Sequence, residues 1–387
     1  MSHQLAAAPV HVWPDMSPSS REPSTHVMQV VYDLVPGGSE SLALAIARAG
    51  TSRGLRMSVC GLGHRRTLAT PLNTPGVATH SMNRRLGLQP TLVGRLYRLF
   101  RREGVTVVVS HHLGQLLYAG PAARLAGARL VHVEHEFYTL QPAWDRRLLQ
   151  AASKLVERVV AVSDEVADFL VARVGVPQRK VVVIRNGVDV ARFAPSVTSA
   201  RHELGIPLDV PVLGTVGRLD PAKDQLTLLQ SFRLIRDVVP SIHLVIVGDG
   251  PARAELERYV NEHGLDGRVH LLGARLDIPH LLPGMDVFAL SSIHEGLPLA
   301  MLEAMACERP VVTTNVGAAG TVIRRAGAGF VVEPKDPAAL ARNVIALLRD
   351  RPLARRLGAM GRAAVETQYN LATTVDSYLA LCGLGDA

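Results

Sequence analysis

The chain has 387 residues, of which 48% are hydrophobic and 20% charged, and its formal net charge is +8. This balance excludes an intrinsically disordered chain, which would carry fewer apolar residues and more net charge. The length exceeds what one ordinary hydrophobic core holds, so it predicts two domains with a cleft between them.

The cysteine content and the start of the chain indicate a cytoplasmic enzyme. Cys60, Cys307 and Cys382 are widely spaced and form no CxxC pair, which argues against a disulfide framework or a structural zinc site. Residues 1–27 lack the basic start and unbroken apolar stretch of a signal peptide, and no run of about 18 apolar residues follows. We expect residues 1–27 to be a flexible tail.

Short β-branched runs recur in the first half, most of them followed by a segment of helical periodicity. The runs are MQVVYDL, VTVVVSHH, RLVHVEH and VERVVAVS. This alternation predicts a parallel sheet with crossover helices over residues 28–195. Gly37 and Gly38 fall between the first strand and its helix, where glycines either free backbone N–H groups for a ligand or form a simple tight turn.

Basic residues concentrate in this half, since residues 1–195 hold 23 Lys and Arg against 13 Asp and Glu. Such a surplus favours an anionic partner. Within residues 91–102, Leu92, Leu96 and Leu99 recur at helical spacing between arginines. The segment predicts an amphipathic basic helix, which either lies on an anionic membrane surface or packs in the domain with an arginine-rich solvent face. Nucleic acid is disfavoured because only 4% of the residues are aromatic and no stacking motif appears.

Histidines and carboxylates follow the next strands, where cleft residues are expected. They are His111 and His112 after one strand, and Glu134, His135 and Glu136 after the next. A zinc site is one interpretation of these groups, but no regular i, i+4 ligand pair occurs among them, and we expect no metal.

A second series of strands follows a break rich in turn formers between residues 190 and 210. The runs are PVLGTVGRLD, HLVIVGDG, RVHLLGA, DVFALSS, PVVTTN and GFVVEP. They predict a second Rossmann-like domain over residues 196–365. The final segment, residues 366–387, has helical spacing and is expected to pack back across both domains. Because ligands of open parallel sheets bind at the carboxyl ends of the strands, the loops after these runs are the candidate site.

Two loops of the second series carry candidate ligand-binding residues. GRLDPAKD places Gly217, Arg218 and Lys223 after a strand, where two cations can neutralise a diphosphate, although a solvated surface loop would look the same. VIVGDGPARAELE has a glycine turn that either contacts a ligand or packs a helix on its strand. Arg253 replaces the third glycine of GxGxxG there, so a dinucleotide dehydrogenase is poorly supported.

The stretch SSIHEGLPLAMLEAMA places Glu295 and Glu303 eight positions apart around the start of a predicted helix. Pro298 is expected in the first turn of that helix, where proline is favoured. Free N–H groups and the helix dipole make such a start a phosphate site. From their spacing alone, the two glutamates are as readily surface charges as ligands.

Taken together, these residues resemble the retaining family-4 glycosyltransferases of GT-B fold from about Met28 onward. EGLPLAMLEAMA matches the family's E-x7-E motif, GRLDPAK its arginine and lysine spacing, and VPGGSE its glycine loop. VSHH and VEHE match its histidine positions, and VIRNGVD the segment that enters the second domain. The resemblance implies an α/β fold of two Rossmann-like parallel-sheet domains facing across a cleft, and a hexosyltransferase similar to bacterial enzymes of polysaccharide biosynthesis.

The resemblance also implies a role for each matched residue. Arg218 and Lys223 would hold the diphosphate of a UDP-, GDP- or ADP-sugar donor, and Glu303 would bind the ribose. Glu295 would read the sugar hydroxyls, and His112 would lie near the donor sugar and the acceptor. The other implied donor-binding positions are Gly37, Gly38, Gly217, Asp249, Gly250, Arg275, Gly296, Leu297 and Pro298.

The implied mechanism needs no metal or other cofactor, because Arg218, Lys223 and the helix start supply positive charge at the leaving diphosphate. The family implies attack on the same face, with the leaving phosphate taking the acceptor proton, rather than a glutamate nucleophile of the glycosidase type. The expected acceptor is lipid-linked or a growing glycan, met at the inner face of the plasma membrane. A nucleotide-sugar epimerase and a non-catalytic sugar-nucleotide-binding protein are the alternatives, and the intact glutamates and cations argue against both.

Two positions depart from the family pattern. Glu308 stands where the family usually has glycine, and Thr321 stands where it often has an acidic residue near the donor. These departures leave the identity of the donor open.

Overall fold

The computed structural model describes residues 25–34, 37–63, 76–85, 87–137, 140–196 and 200–384. The tail predicted over residues 1–27 lies, up to residue 24, outside the described residues. Its last two positions, His26 and Val27, are buried in the first strand, so the prediction was wrong for them. The described chain forms two parallel sheets with helices around them, which confirms the α/β prediction.

The first sheet has seven parallel strands in the order β3-β2-β1-β4-β5-β6-β7. The strands are β1 His26–Val31, β2 Arg56–Gly61, β3 Ala78–Ser81, β4 Val107–His111, β5 Arg129–Glu134, β6 Arg158–Ala161 and β7 Val181–Val183. The helices of this half are α1 Gly38–Ser52, α2 Thr91–Glu103, α3 His112–Ala126, α4 Ala143–Ala152 and α5 Asp164–Phe169.

The second sheet has six parallel strands in the order β10-β9-β8-β11-β12-β13. The strands are β8 Val212–Val216, β9 His243–Val247, β10 Val269–Leu271, β11 Val287–Leu290, β12 Val311–Thr314 and β13 Gly329–Val332. The helices of this half are α6 Gln225–Val238, α7 Arg253–Glu262, α8 Ile278–Leu281, α9 Leu299–Ala306, α10 Ala319–Ala326, α11 Pro337–Arg349, α12 Arg351–Gln368 and α13 Leu371–Leu381.

Helix α2 begins at Thr91, and its apolar side chains are part of the core of the first half. Leu92 and Leu96 are 0% exposed, whereas Arg95 and Arg98 lie on the solvent face. The helix is thus a domain helix with an arginine-rich outer face, and its apolar face is not open to a membrane. Among the described residues, no helix is both long and apolar enough to cross a membrane.

The last two helices connect the halves. Helix α12 packs on α9, whereas α13 packs on α1 of the first half, where Asp376 pairs with Arg53. Between them, the N–H of Leu371 donates to the carbonyl of Val188 at 3.0 Å, next to the segment that joins the two sheets. The final helix is therefore held by the first half of the chain.

Candidate active site

The strongest polar contact at the carboxyl ends of the second sheet joins Lys223 and Glu295. Nζ of Lys223 donates to Oε1 and to Oε2 of Glu295 at 2.8 Å each, and the Ser292 hydroxyl donates to Oε1 at 2.6 Å. Glu295 is 6% exposed, whereas the side chain of Lys223 is 28% exposed. The buried carboxylate thus orients a lysine that remains accessible to an anionic ligand.

Neighbouring strands bring these two residues together over 72 positions of sequence. Strand β8 pairs with β11 in parallel, so the loops that follow them lie side by side. The N–H of Ile293 donates to the carbonyl of Ala222 at 2.9 Å, and the Ser291 hydroxyl donates to the carbonyl of Lys223 at 3.1 Å. These bonds fix both loops before any ligand binds.

Two arginines predicted to bind the donor form ion pairs with near neighbours in the sequence. Nε of Arg218 donates to Asp220 at 2.7 Å, and the side chain of Arg218 is 72% exposed. Arg275 binds Asp277 through Nε at 2.7 Å and through Nη2. Within the described residues, no hydrogen bond or ion pair joins either arginine to Lys223.

The loops after β8 and β9 touch through their backbones. The N–H of Gly217 donates to the carbonyl of Val247 at 2.9 Å. Gly248 adopts a φ of +139°, and a Cβ there would lie 1.9 Å from the carbonyl oxygen of Gly217, so only glycine fits. The Asp249 carboxylate accepts from the N–H of Gly250 at 2.8 Å, which completes the turn.

The turn before α9 presses against the first half of the chain. A Cβ on Gly296 would lie 1.8 Å from the carbonyl oxygen of His135. The carbonyl of Leu297 accepts from Nδ2 of the buried Asn186 at 3.1 Å. Pro298 is the N-cap residue of α9, with φ −71° and ψ 114°, so the helix begins one residue later than its predicted first turn. The start of α9 therefore lies at the contact between the two halves.

Glu303 lies on α9, about one turn from its start, and is partly buried. Burial raises the pKa of Glu303 to about 7, against the opposing effect of the Arg192 guanidinium. Among the described residues, no side chain or backbone group donates a hydrogen bond to its carboxyl group. Glu303 is thus available to accept hydrogen bonds from a ligand.

The glycine loop of the first half faces the same helix start. A Cβ on Gly38 would lie 3.5 Å from Cδ1 of Leu299. Gly37 is the N-cap residue of α1, whereas Val35 and Pro36 of the same loop lie outside the described residues. The N-termini of α1 and α9 therefore approach each other from the two sheets.

The histidines and carboxylates at the ends of β4 and β5 do come together. His112 opens α3 with a φ of 63°, and its Nδ1 lies 3.6 Å from Oε1 of Glu134. Its Nε2 lies 3.3 Å from the hydroxyl oxygen of Ser39. Nδ1 of His111 lies 2.8 Å from Nε2 of His135. In the part of the chain that the structure describes, no group of three residues has the arrangement of metal ligands.

Burial and contacts between the side chains determine which residues of this cluster are charged. Burial raises the pKa of Glu134, but the neighbouring imidazoles of His112 and His132 outweigh it and lower that pKa to about 2. Burial, together with the charges of neighbouring histidines, lowers the pKa of His111 to about 3. At neutral pH, Glu134 is therefore a carboxylate and His111 a neutral imidazole.

Three residues at these contacts were not among the predicted site residues: Ser292, Asn186 and Ser39. Each lies within a motif that the sequence had singled out. Ser292 precedes Glu295 by three residues, Asn186 belongs to VIRNGVD, and Ser39 follows the glycine pair. Small polar residues inside a ligand-binding motif were thus the signal that could have identified them.

The two departures from the family pattern lie after the C-terminus of α9 and on α10. Glu308 follows the C-cap of α9 with a left-handed φ of 58°. Its N–H donates to Met305 at 3.0 Å, and the next N–H donates to Ala304 at 2.9 Å, which is a Schellman motif. Thr321 lies on α10, and the loop before α10 contacts the turn, because a Cβ on Gly317 would lie 2.0 Å from the carbonyl oxygen of Glu295.

Two Rossmann-like parallel sheets that face each other, with polar site residues at the carboxyl ends of strands from both, define a GT-B fold. A crystal structure of Anabaena Alr3699/HepE in complex with UDP and glucose has this fold. It matches with a TM-score of 0.80 and 22% sequence identity, over 93% of this chain and 99% of that chain.

Sequence comparisons agree with the fold. The family described as glycosyl transferases group 1 matches residues 196–364, and glycosyltransferase family 4 matches residues 36–192. The UDP-Gal:alpha-D-GlcNAc-diphosphoundecaprenol alpha-1,3-galactosyltransferase of Escherichia coli is 30% identical over 73% of this chain and 76% of its own length. The 2-deoxystreptamine glucosyltransferase of Streptomyces kanamyceticus is 31% identical over 65% of this chain and 70% of its own length. The chain belongs to the group 1 glycosyl transferases, with a family-4 N-terminal half, and is a glycosyltransferase.

Proposed function

We propose that the chain transfers a hexosyl unit from a nucleoside-diphosphate sugar to an acceptor hydroxyl with retention at the anomeric carbon. The observation that carries this proposal is the contact between Lys223 and the buried Glu295, at 2.8 Å to each carboxylate oxygen. A cation suited to a diphosphate and a carboxylate suited to sugar hydroxyls are thereby held side by side. Glu303, further along the adjoining helix, supplies an acceptor for the ribose hydroxyls.

In the proposed reaction, the bond between the anomeric carbon and the diphosphate oxygen breaks while the acceptor oxygen bonds to the carbon on the same face. The acceptor proton passes to the leaving phosphate oxygen. Lys223 stabilises the charge that develops on the diphosphate, and the free N–H groups at the start of α9 do the same. Because these groups supply the positive charge, we expect turnover that a chelator of divalent cations leaves unchanged.

The donor site is tested with a panel of UDP-, GDP- and ADP-sugars in a thermal stabilisation assay. One of them should raise the melting temperature, and Lys223→Ala should weaken its binding at least tenfold, since charged hydrogen bonds of this kind contribute about 1.5–3 kcal/mol. Lys154→Ala is the matched control, because Lys154 is exposed and lies in the other half. If no nucleotide sugar stabilises the chain, the proposal is wrong.

We propose a lipid-linked or glycan acceptor for this reaction. The Escherichia coli relative is named for transfer to a diphosphoundecaprenol-linked sugar, which supports an acceptor at a membrane. Such an acceptor would bring the cleft close to anionic lipid headgroups. Transfer to a lipid-diphosphate sugar, followed by chromatography of the organic phase, tests this assignment.

We further propose that the membrane contact is electrostatic and lies on the loop before α2 and the first turns of that helix. Leu88 is 88% exposed, and Arg85, Arg95 and Arg98 are exposed nearby in sequence. The loop follows the carboxyl end of β3, so it lies at the same edge of the sheet as the cleft. A protruding leucine among arginines suits an anionic lipid surface.

Co-sedimentation with vesicles of mixed neutral and anionic lipids tests this surface. Substituting Arg85, Arg95 and Arg98 by Ser should reduce binding at least tenfold, because each basic residue near such a surface contributes about 1 kcal/mol. The control removes charge elsewhere, at the exposed Arg355 and Arg356 on α12. An equal loss of binding free energy per arginine removed in the two variants would show that only net charge matters, and the proposed surface would then be wrong.

A further inference from the structure

The imidazole of His112 is held from both sides by the first half of the chain. Nδ1 lies 3.6 Å from Oε1 of Glu134, at the end of β5. Nε2 lies 3.3 Å from Oγ of Ser39, in the first turn of α1. Three separate elements therefore fix one ring, whose residue also has an unfavourable left-handed backbone with φ 63°.

The hydrogen bonds around Ser39 determine which atom donates to which. The Ser39 hydroxyl donates to Oε2 of Glu40 at 2.8 Å, so its oxygen accepts from Nε2 of His112. On the other side, the Glu134 carboxylate can only accept. An imidazole whose two nitrogens both face acceptors can donate to both only when it carries a proton on each, which is the charged form.

We propose that Glu134 is a positioning residue that keeps His112 as an imidazolium directed at the cleft, with Ser39 and Glu40 completing the arrangement. This inference rests on the proposed function. Under it, the first half of the chain contributes a cation near the donor, in addition to Lys223 from the second half. The charge would act on the leaving diphosphate from the opposite side of the cleft.

The groups packed around His112 support the charged form. Glu134 and Glu136 face it from the end of β5, and Glu40 faces it from α1. Burial alone lowers the pKa of His112, but Glu134, Glu136 and Glu40 together outweigh burial, and the pKa lies above its ordinary value. The neighbouring histidines are different, since burial lowers the pKa of both His111 and His135. Among these three neighbouring histidines, only His112 has its pKa raised.

Glu134 is itself prevented from moving. It is 0% exposed, and its second oxygen, Oε2, lies 3.4 Å from Nε2 of His132. Nδ1 of His132 in turn lies 3.1 Å from the Ser110 hydroxyl oxygen. The charges of His112, from the first half, and of Lys223, from the second, both lower the pKa of Glu136 against the larger effect of burial.

The test is a titration of the His112 ring by NMR on the full chain labelled with ¹⁵N-histidine, without any donor. Comparison with His112→Asn assigns the signal. At pH 6.0 the wild-type ring should show two protonated nitrogens. Glu134→Gln should lower the pH at which His112 titrates by about one unit or more, because an opposite charge within about 4–6 Å shifts a pKa by that much.

Ser39→Ala is the second variant, which keeps the test decisive if Glu134→Gln does not fold. It removes the acceptor at Nε2 without touching the buried carboxylate, and it should lower the same titration by a smaller amount. A ring with one bare nitrogen at pH 6.0, or a titration that neither variant moves, would overturn the inference.

Turnover provides the readout that links this inference to the reaction. With UDP-glucose as the probe and its hydrolysis as the measured rate, Glu134→Gln should shift the basic limb of the pH–rate profile to lower pH. The donor's KM should change less than kcat. Because the NMR titration uses no donor, its failure would reject the role of Glu134 alone, whereas failure of every nucleotide sugar to bind would reject the proposed function alone.

Discussion

At the scale of single residues, Glu303 links the pH to stability. Burial raises its pKa to about 7 from an ordinary 4.5, so the folded chain holds this proton more tightly than the unfolded chain does. The free energy of unfolding therefore falls as the pH rises from about 4.5 to about 7, and it changes no further above that range. An ionised Glu303 therefore lowers the free energy of unfolding until a ligand donates a hydrogen bond to it.

Glu303→Gln should remove this cost. We expect the variant to unfold at higher urea concentration than the wild type at pH 8, by about 1–2 kcal/mol, which is less than the full shift because the side chain is partly open to solvent. At pH 4.5 the difference should shrink. The exposed Glu333→Gln is the control, and an equal gain at both pH values would contradict the assignment. The same Glu303→Gln variant should bind UDP more weakly at pH 8.

Glu308 is a second residue whose backbone decides its effect on stability. Glu308→Gly should raise the free energy of unfolding by about 0.5–1 kcal/mol. A non-glycine residue in the left-handed region costs about 1–2 kcal/mol, and the greater freedom of glycine in the unfolded chain offsets part of that gain. Chemical denaturation measures the difference. Glu308→Ala keeps the Cβ and should give no gain, so stabilisation by alanine as well would point to the glutamate charge instead of the backbone.

The sequence predicted that Lys223 and Glu295 belong to one site, but it did not predict the contact between them. The spacing of Glu295 and Glu303 indicated one helix start, but Lys223 reaches Glu295 only because β8 and β11 are neighbours in the sheet. Arg218 forms an ion pair with Asp220, two residues away, which the motif alone did not indicate. The motifs thus indicated which residues to consider. The contacts of those residues depend on the order of the strands in the sheet and on ion pairs with neighbours in the sequence.

At the scale of elements, the buried apolar face of helix α2 should contribute to stability and its exposed arginine face should not. Leu96→Ala should destabilise the chain by about 2–5 kcal/mol, because Leu96 is 0% exposed and its removal leaves a cavity. Arg98→Ser should change the free energy of unfolding by less than about 0.5 kcal/mol. Urea unfolding of both variants tests this. Little loss in Leu96→Ala would mean that the apolar face of α2 is not part of the core.

Three strands of the first sheet were not predicted from the sequence, and each omission has a physical reason. Strands β3 and β7 lie at the two edges of the first sheet, where their side chains are exposed or only partly buried. Strand β2 is buried but reads RMSVCG, with a serine in the middle. This serine is Ser58, and its hydroxyl oxygen lies 2.8 Å from Nε2 of His26 on β1. A hydrogen-bond partner on the neighbouring strand therefore allows a polar residue that is unusual in a core strand. The predicted strands also carry buried polar residues, such as Ser110 and His132, but each has at least two valines, whereas β2 has one.

At the scale of the whole molecule, Gly296 controls how closely the two halves approach. Gly296→Ala should hold them apart, because the new Cβ would lie 1.8 Å from the carbonyl oxygen of His135 and 3.3 Å from Cα of Glu136. Neither backbone atom can rotate away. We expect the radius of gyration from small-angle X-ray scattering to increase and turnover of the donor to fall at least about a hundredfold, as it does when catalytic groups are misplaced by about 1 Å.

Gly94→Ala is the control for this change, since a Cβ at that helical position meets nothing within 4 Å. It should leave both the scattering and the turnover as they are. Unchanged scattering in Gly296→Ala would show that the turn, and not the separation of the halves, absorbs the extra atom.

The return of α13 to the first half also affects how the chain is made. Arg53 and Asp376, which join α1 to α13, are 323 positions apart. At a translation rate of about 5–20 residues per second, α1 would wait about 15–65 s on the ribosome before its partner helix is synthesised. The first half is therefore complete only when nearly the whole chain has emerged, so a nascent chain that stalls after β13 leaves the surface of α1 uncovered and open to chaperones.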